Sequence, residues 1–476
     1  MLLESKRGNA SFPGCNILRS VFLLKALSDY CPALLILFVG LAVAPKVVLA
    51  QSAQGAGAGG ETVSQLRRAA ELLQRGEVDG AEPILRQVLA ADPNNADAHN
   101  LLGIALDQRG KTEEAEREYR TALRLNPNAI SALANLGVLL ARAKRDDEAI
   151  KAFESVLRLA PDHRQATINL GLLYSSRHDY QRAADLLARA NELQPRTFDI
   201  LYHMGVALYN LKRWDEASRA LEAASALSPN AAEPFYSLGL VASARGDDEA
   251  SGKLWEKAAE LRPNYSEANF MLGELSSKRR DYKTAEYYYE RAWRQDPTQP
   301  VHHVRYGGVH ILLGNFNQAL EIFQSAAERF PTIAEIHYFT AIAARGVGNY
   351  DLALAELRKS LSLQPNSADA LALSGAINFD RGNIAEAEKS LRRALTINQQ
   401  HFNSLYDLGR LLVKTNRYAE ALPLLERAVE INSNSPEVHY QIFLALSRLK
   451  RKADADRELE IHKELLEKEK ARKPGD

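Results

Sequence analysis

Proline recurs at a fixed interval through most of this chain. Glycine and alanine columns keep the same 34-residue step, as in Gly103, Gly137 and Gly171 and in Ala115 and Ala149. A period this strict is typical of a solenoid of stacked repeats, and it disfavours the three or so separate globular domains that 476 residues would otherwise suggest. The prolines at this spacing are Pro93, Pro127, Pro161, Pro195, Pro229, Pro263, Pro297, Pro331 and Pro365.

One period contains two segments with helical spacing of apolar residues. Gly103 and Leu106 lie in the first segment, and Ala115 and Tyr119 lie in the second. The pattern predicts two amphipathic helices joined by a short turn. A glycine within a helix costs about 1 kcal/mol relative to alanine, so we interpret this glycine as the point where the partner helix comes close. Proline cannot continue a helix, and Pro127 is therefore predicted to end the second one.

With these columns aligned, the chain resembles a tetratricopeptide repeat protein. Leu136-Gly137, Ala149, Phe153 and Pro161 match the Leu-Gly, Ala, aromatic and Pro places of that family's pattern. The resemblance implies an all-α fold, a right-handed α-solenoid superhelix of about twelve helix-turn-helix repeats across residues 62–469. In register the repeats are 62–95, 96–129, 130–163, 164–197, 198–231, 232–265, 266–299, 300–333, 334–367, 368–401, 402–435 and 436–469.

The first fifty residues are predicted to direct the chain to the cell envelope. They contain an uninterrupted apolar run, Ala33 to Ala44, which suits the core of a signal peptide. Val48 and Ala50 satisfy the small-residue rule for cleavage before Gln51. An uncleaved membrane anchor is the alternative, because the apolar segment is almost continuous with the residues that follow. We expect an exported or membrane-anchored bacterial protein, with its body on the periplasmic side and only residues 1–50 in contact with the membrane.

Two short segments flank the repeats. Residues 51–61 are rich in glycine and alanine and are predicted to be a flexible linker. Residues 470–476 form a charged tail.

Composition and motifs disfavour an enzyme, a metalloprotein and a nucleic-acid binder. The repeats leave too little chain for a catalytic domain, and no catalytic or cofactor motif is present. Both cysteines, Cys15 and Cys31, precede the repeats, and the 60 basic residues only balance the 60 acidic ones. His303 and His310 are seven residues apart on one helix, but they occupy places where the family packs its helices, so we interpret them as core residues. We therefore predict no catalytic residue, no metal and no cofactor.

Candidate partner contacts follow from the resemblance, with places counted from the start of each repeat. The second, fifth, ninth, twelfth and thirteenth places of the family point into a concave groove, with the sixth place close by. Two interpretations of the aromatic fifth place remain open, contact with an extended peptide and packing between repeats. Asn135 and Asn169 occupy the sixth place, and a basic stretch near the C-terminus suits an acidic partner segment. The candidates are Tyr202, Tyr236, Phe270, Tyr338, Tyr406, Tyr440, Asn135, Asn169, Arg345, Arg410 and Lys414.

The sequence therefore predicts a non-catalytic scaffold that binds partner proteins or peptides in the cell envelope. Two alternatives remain open. One is an assembly factor for a pilus, secretion or polysaccharide-export complex. The other is an accessory subunit of a separately encoded glycosyltransferase.

Overall fold

The computed structural model describes residues 58–472, and this part of the chain contains 24 α-helices and no strand. The predicted all-α solenoid of helix hairpins is confirmed. The proposed export segment and residues 51–57 of the predicted linker lie outside the described residues. The chain divides into two compact units at Pro263 and Asn264, which are described separately below as the N-terminal and the C-terminal unit.

The N-terminal unit contains six helix hairpins. In each hairpin the first helix packs along the second, and the second packs against the first helix of the next hairpin. The helices are α1 (Ala58–Gln74), α2 (Val78–Ala91), α3 (Ala96–Gln108), α4 (Thr112–Leu125), α5 (Ile130–Arg142), α6 (Asp146–Leu159), α7 (Arg164–Ser176), α8 (Tyr180–Leu193), α9 (Phe198–Asn210), α10 (Trp214–Leu227), α11 (Ala232–Ala244) and α12 (Asp248–Leu261).

The C-terminal unit repeats this arrangement with six further hairpins. Its helices are α13 (Ser266–Lys278), α14 (Tyr282–Gln295), α15 (Pro300–Leu312), α16 (Phe316–Arg329), α17 (Ala334–Gly346), α18 (Tyr350–Leu363), α19 (Ala368–Asp380), α20 (Ile384–Ile397), α21 (Phe402–Lys414), α22 (Tyr418–Ile431), α23 (Pro436–Arg448) and α24 (Lys452–Arg472).

The turn inside each hairpin reverses the chain through one residue of left-handed backbone. After α3 this residue is Gly110, with φ of 75°. Its N–H donates to Asp107 O over 2.9 Å, and the N–H of Lys111 donates to Leu106 O over 2.9 Å. These two bonds satisfy carbonyls that would otherwise be unpaired at the helix end. The turn between hairpins differs, because the residue before each proline avoids helical backbone and the second helix ends there.

Glycine at the eighth place allows the two helices of a hairpin to come close. A Cβ atom added at Gly103 would lie 2.6 Å from Tyr119 Cε1, and one added at Gly239 would lie 2.5 Å from Trp255 Cδ1. Such distances are far below van der Waals contact, so a larger residue would force the hairpin apart. The interpretation of this column as a close approach of the two helices is therefore supported at both positions.

The start of the described region differs from the sequence expectation. The helix α1 begins at Ala58, so the last residues of the predicted linker 51–61 are helical. Glu61 in the first turn favours the helix dipole, and the chain continues without a break into the packed part of α1. At the other end α24 runs to Arg472 and includes the start of the predicted tail 470–476.

Replacements in the glycine column test this packing. We expect Gly171→Leu and Gly239→Ala each to lower the free energy of unfolding by about 1–3 kcal/mol through overpacking. At Gly239 the Trp255 ring cannot move away easily, because its Nε1–H donates to Tyr236 O over 3.2 Å. Urea unfolding followed by far-UV circular dichroism measures both changes.

Gly60→Ala is the matched control for these variants. A Cβ at Gly60 would meet no atom within 4 Å, so the variant should be unchanged or stabilised by up to about 1 kcal/mol. Equal stability of all three variants and the parent chain would contradict the packing assignment.

Candidate partner-binding site

The aromatic column at the fifth place is mostly core. Phe270 is fully buried, and its ring lies 5.9 Å from the Tyr289 ring and 5.4 Å from the His302 ring. Tyr236 and Tyr338 are also buried. Rings that are covered in this way support the packing interpretation of these three residues, and partner contact at them stays a prediction that burial disfavours.

The other members of the column retain exposed surface. Tyr202 and Tyr406 are half-buried, and Tyr440 is exposed. The Tyr440 ring lies 5.9 Å from the Phe443 ring and 5.2 Å from the His462 ring, so packing covers only part of it. These three residues can contact a partner within their own units, although they do not form a continuous column.

Two amides at the sixth place lie half-buried in the N-terminal unit. Asn135 Nδ2 donates to Asn100 Oδ1 over 3.1 Å, and Asn169 Oδ1 accepts from Gln165 Nε2 over 3.0 Å. Each amide therefore uses one of its two polar groups in a hydrogen bond. Asn135 Oδ1 and Asn169 Nδ2 have no hydrogen-bond partner among residues 58–472. Burial lowers the pKa of His203, the next residue at this place, to about 4, so it is neutral at physiological pH and ends the row of amides.

The basic stretch forms a compact cluster across three first helices of the C-terminal unit. Arg345 lies on α17, Asp380 on α19 and Arg410 on α21. Arg345 Nη2 donates to Asp380 Oδ2 over 2.9 Å, and Arg410 Nη2 donates to Asp380 Oδ1 over 3.3 Å. Two guanidinium groups thus share one carboxylate. We call this site, together with Phe379, Tyr406, Asp407 and Lys414, the arginine cluster.

An aromatic ring forms the floor of the arginine cluster. The Arg410 guanidinium lies 4.5 Å from the centre of the Phe379 ring, and Lys414 Nζ lies 4.7 Å from the same centre. Tyr406 is the next ring, 5.8 Å from the Arg410 guanidinium. Cation–π contacts of this kind keep both cations at the surface of the ring. The sequence-predicted Arg345, Arg410 and Lys414 are therefore brought together.

Sequence reasoning missed the acidic members of this cluster and the Phe379 ring, whereas Tyr406 was among the candidates. Asp380 occupies the thirteenth place and Phe379 the twelfth, both on the helix between those of Arg345 and Arg410. The signal was available, because Arg345 and Asp380 are 35 residues apart and therefore lie at neighbouring places of consecutive repeats. Asp407 could not have been found in this way, because its raised pKa results from burial, which the spacing of residues does not show.

Histidines at the fourth place are held by hydrogen bonds on both ring nitrogens. His303 Nδ1 accepts from Trp293 Nε1 over 3.1 Å, and His303 Nε2 lies 3.0 Å from Pro297 O. His337 contacts Glu356 and Pro331 O at 2.6 and 3.0 Å. Residues 58–472 contain no group of three His, Cys, Asp or Glu side chains that could hold a metal ion. The burial of His303 and His310 supports their interpretation as core residues.

Models of one repeat family match the chain repeatedly. Two models described as tetratricopeptide repeat together match more than half of it, at residues 72–136, 108–168, 277–343 and 378–441 and at residues 202–264, 236–300 and 340–402. The chain belongs to the tetratricopeptide repeat family. A model described as anaphase-promoting complex, cyclosome, subunit 3, also matches residues 142–224. A comparison with curated protein sequences gives no match.

Solved structures with similar folds are also found. YrrB, described as a TPR protein with an unusual peptide-binding site, is 23% identical over 39% of this chain and 95% of its own, with a TM-score of 0.38. The Cut9–Hcn1 hetero-tetramer of the APC/C is 15% identical over 84% of this chain and 93% of its own, with a TM-score of 0.45. Pseudomonas aeruginosa pilF is 22% identical over 44% and 96%, with a TM-score of 0.39.

Membership of the tetratricopeptide repeat family establishes the general role of the fold. Proteins of this family are typically scaffolds for protein–protein interaction, and they bind protein or peptide partners. The arginines and lysine of the arginine cluster and the two amides are the polar groups of the predicted set, and all of them keep some exposed surface.

The buried acid of the arginine cluster gives this tetratricopeptide repeat chain a pH-dependent stability. Burial raises the pKa of Asp407 to about 6, although Arg410 and Arg345 oppose this shift. The folded chain therefore binds this proton more tightly than the unfolded chain, and stability falls as pH rises through the interval from about 4 to about 6. Asp407→Asn removes the ionisation, so we expect it to gain roughly 2 kcal/mol relative to the parent chain between pH 4.5 and pH 7.5.

Thermal unfolding of both proteins at the two pH values measures this difference. Asp351→Asn is the control, because Asp351 is 85% exposed and no burial opposes its charge. An Asp407→Asn difference that is the same at both pH values would contradict the assignment.

Proposed function

We propose that this chain is a non-catalytic scaffold of the bacterial cell envelope that binds partner proteins along its first helices. The observation that carries this proposal is that tetratricopeptide hairpins account for all of residues 58–472. Proteins of the family to which these hairpins belong are typically interaction scaffolds. Surface on repeated helices provides many small contacts in a preformed arrangement, which lowers the ordering cost of binding.

The envelope location is supported by the sequence that precedes the repeats. The apolar run from Ala33 to Ala44 and the small residues Val48 and Ala50 have the order of a signal peptide. No cysteine follows Cys31, so the repeats can fold in an oxidising compartment without forming wrong disulfides. Among residues 58–472 no helix is long and apolar enough to cross a membrane.

Partner binding along the first helices is supported by the groups they leave available. In the N-terminal unit these are Asn135 and Asn169, whose amides can bond the backbone of an extended peptide. In the C-terminal unit they are Arg345 and Arg410 together with the half-buried Tyr406. The corresponding surface of the second helices is dominated by local ion pairs between neighbouring side chains.

Export is tested by expressing the full chain in a bacterium. We expect it in the envelope fraction, because the apolar run directs it there, with a mature N-terminus at Gln51 if the segment is cleaved. Leu37→Arg with Val39→Arg interrupts the apolar run and should retain the chain in the cytosol. Cell fractionation with intact-mass measurement reads both results. An unchanged distribution in the double variant would refute an export role for this run.

Binding through the first helices is tested with a photo-crosslinking residue in the same cells. At position 169, on the first helix α7, we expect crosslinks to a defined partner band. At position 222, on the second helix α10, the same residue is the control and should give none. Crosslinking of one partner from position 222 and not from position 169 would place the binding surface on the second helices instead.

A further inference from the structure

The arginine cluster holds more positive charge than its own carboxylates neutralise. Arg345 and Arg410 share Asp380, whereas Lys414 has no carboxylate partner among the described residues. Arg410 and Lys414 are one helical turn apart on α21, where like charges destabilise each other. Asp407 lies 3.8 Å from Arg410 but is buried beneath the surface. The exposed side of the cluster is therefore positive and suits a ligand that supplies carboxylates.

Apart from its contacts with Arg345 and Arg410, Asp380 lies at an electrostatically unfavourable position. It is the last residue of α19, where the carbonyl groups of the helix end carry a partial negative charge that repels an anion. Its side chain is 29% exposed, so it can turn into solvent without a large desolvation change. A carboxylate that is held mainly by two arginines can be replaced there by another carboxylate.

The cluster also contains a polar atom with unused bonding capacity. Arg410 Nε is buried and has no hydrogen-bond partner among residues 58–472. A buried donor without a partner costs free energy, and an acceptor that reaches it on binding would recover this cost.

We propose that an acidic segment of a partner protein binds at the arginine cluster, with one of its carboxylates taking the place of Asp380 between Arg345 and Arg410. Asp380 is then an internal substitute for the partner carboxylate and competes with it. A second acidic residue of the same segment pairs with Lys414. This proposal rests on the proposed scaffold function and adds the chemical class of the partner at this site.

The test uses the full mature chain and a defined probe. Binding of a fluorescein-labelled peptide of four Glu-Gly pairs is followed by anisotropy, beside the same peptide with Gln in place of Glu. We expect the Glu peptide to bind more tightly. Arg410→Gln should weaken its binding about tenfold, because one charge-assisted pair is lost. Asp380→Asn should strengthen it about three- to tenfold, because the internal competitor is removed.

Matched controls are provided by a nearby pair. Arg381 and Asp351 form a one-to-one ion pair outside the cluster, so Arg381→Gln and Asp351→Asn make the same charge changes. Both should leave the affinity within about twofold of the parent chain. Far-UV circular dichroism of every variant confirms that the helices are retained.

Three results would overturn the proposal. The first is equal binding of the Glu and Gln peptides, and the second is an Asp380→Asn variant that binds no better than Asp351→Asn. The third is tighter binding of a single-stranded oligonucleotide of equal charge with the same response to the variants, which would indicate a general polyanion site. Crosslinking from position 169 that persists in any of these cases would leave the scaffold function standing and reject only this site.

Discussion

The contact between the eighth and the twenty-fourth place of each repeat is the constraint on which the structure depends. The glycine at the eighth place removes the Cβ that would collide with the second helix, so a large side chain can lie directly on its backbone. A ring fills this space at Tyr119 and Trp255, and a branched aliphatic side chain fills it at Leu425. Where alanine replaces the glycine, as in Ala341, the facing residue is Leu357 and not a ring. The residue at the eighth place thus limits the size of the side chain at the twenty-fourth place.

This constraint explains why the fold was predictable from the sequence. Because a small residue faces a larger one in nearly every hairpin, small residues recur every 34 residues as far as Gly409, and this period indicates where helices begin and end. Proline adds the second boundary by excluding helical backbone from the residue before it. The departure lies at the N-terminal end, at Ala58, where no such contact fixes the helix limit.

The functional surface was less predictable, because exposure depends on neighbours that lie outside the pattern. Phe270 and Tyr440 occupy the same place of their repeats, yet Phe270 is fully buried and Tyr440 is exposed. The His302 ring covers Phe270 from the next first helix, whereas among the described residues no first helix follows the one that carries Tyr440. A place in the repeat gives the direction of a side chain, but the residue opposite decides whether a partner can reach it.

The distribution of ion pairs separates structural charge from charge available for binding. Arg245 pairs with Asp215, one arginine with one highly exposed aspartate of the preceding repeat. Such pairs neutralise themselves and are worth little to stability. Where Arg392 and Arg417 share Glu388, a second carboxylate balances the extra positive charge. The arginine cluster differs from both cases, because its lysine has no carboxylate partner among residues 58–472. A periodic protein can carry many balanced pairs without attracting a ligand, so an imbalance confined to three adjacent first helices is the stronger indication of a binding site.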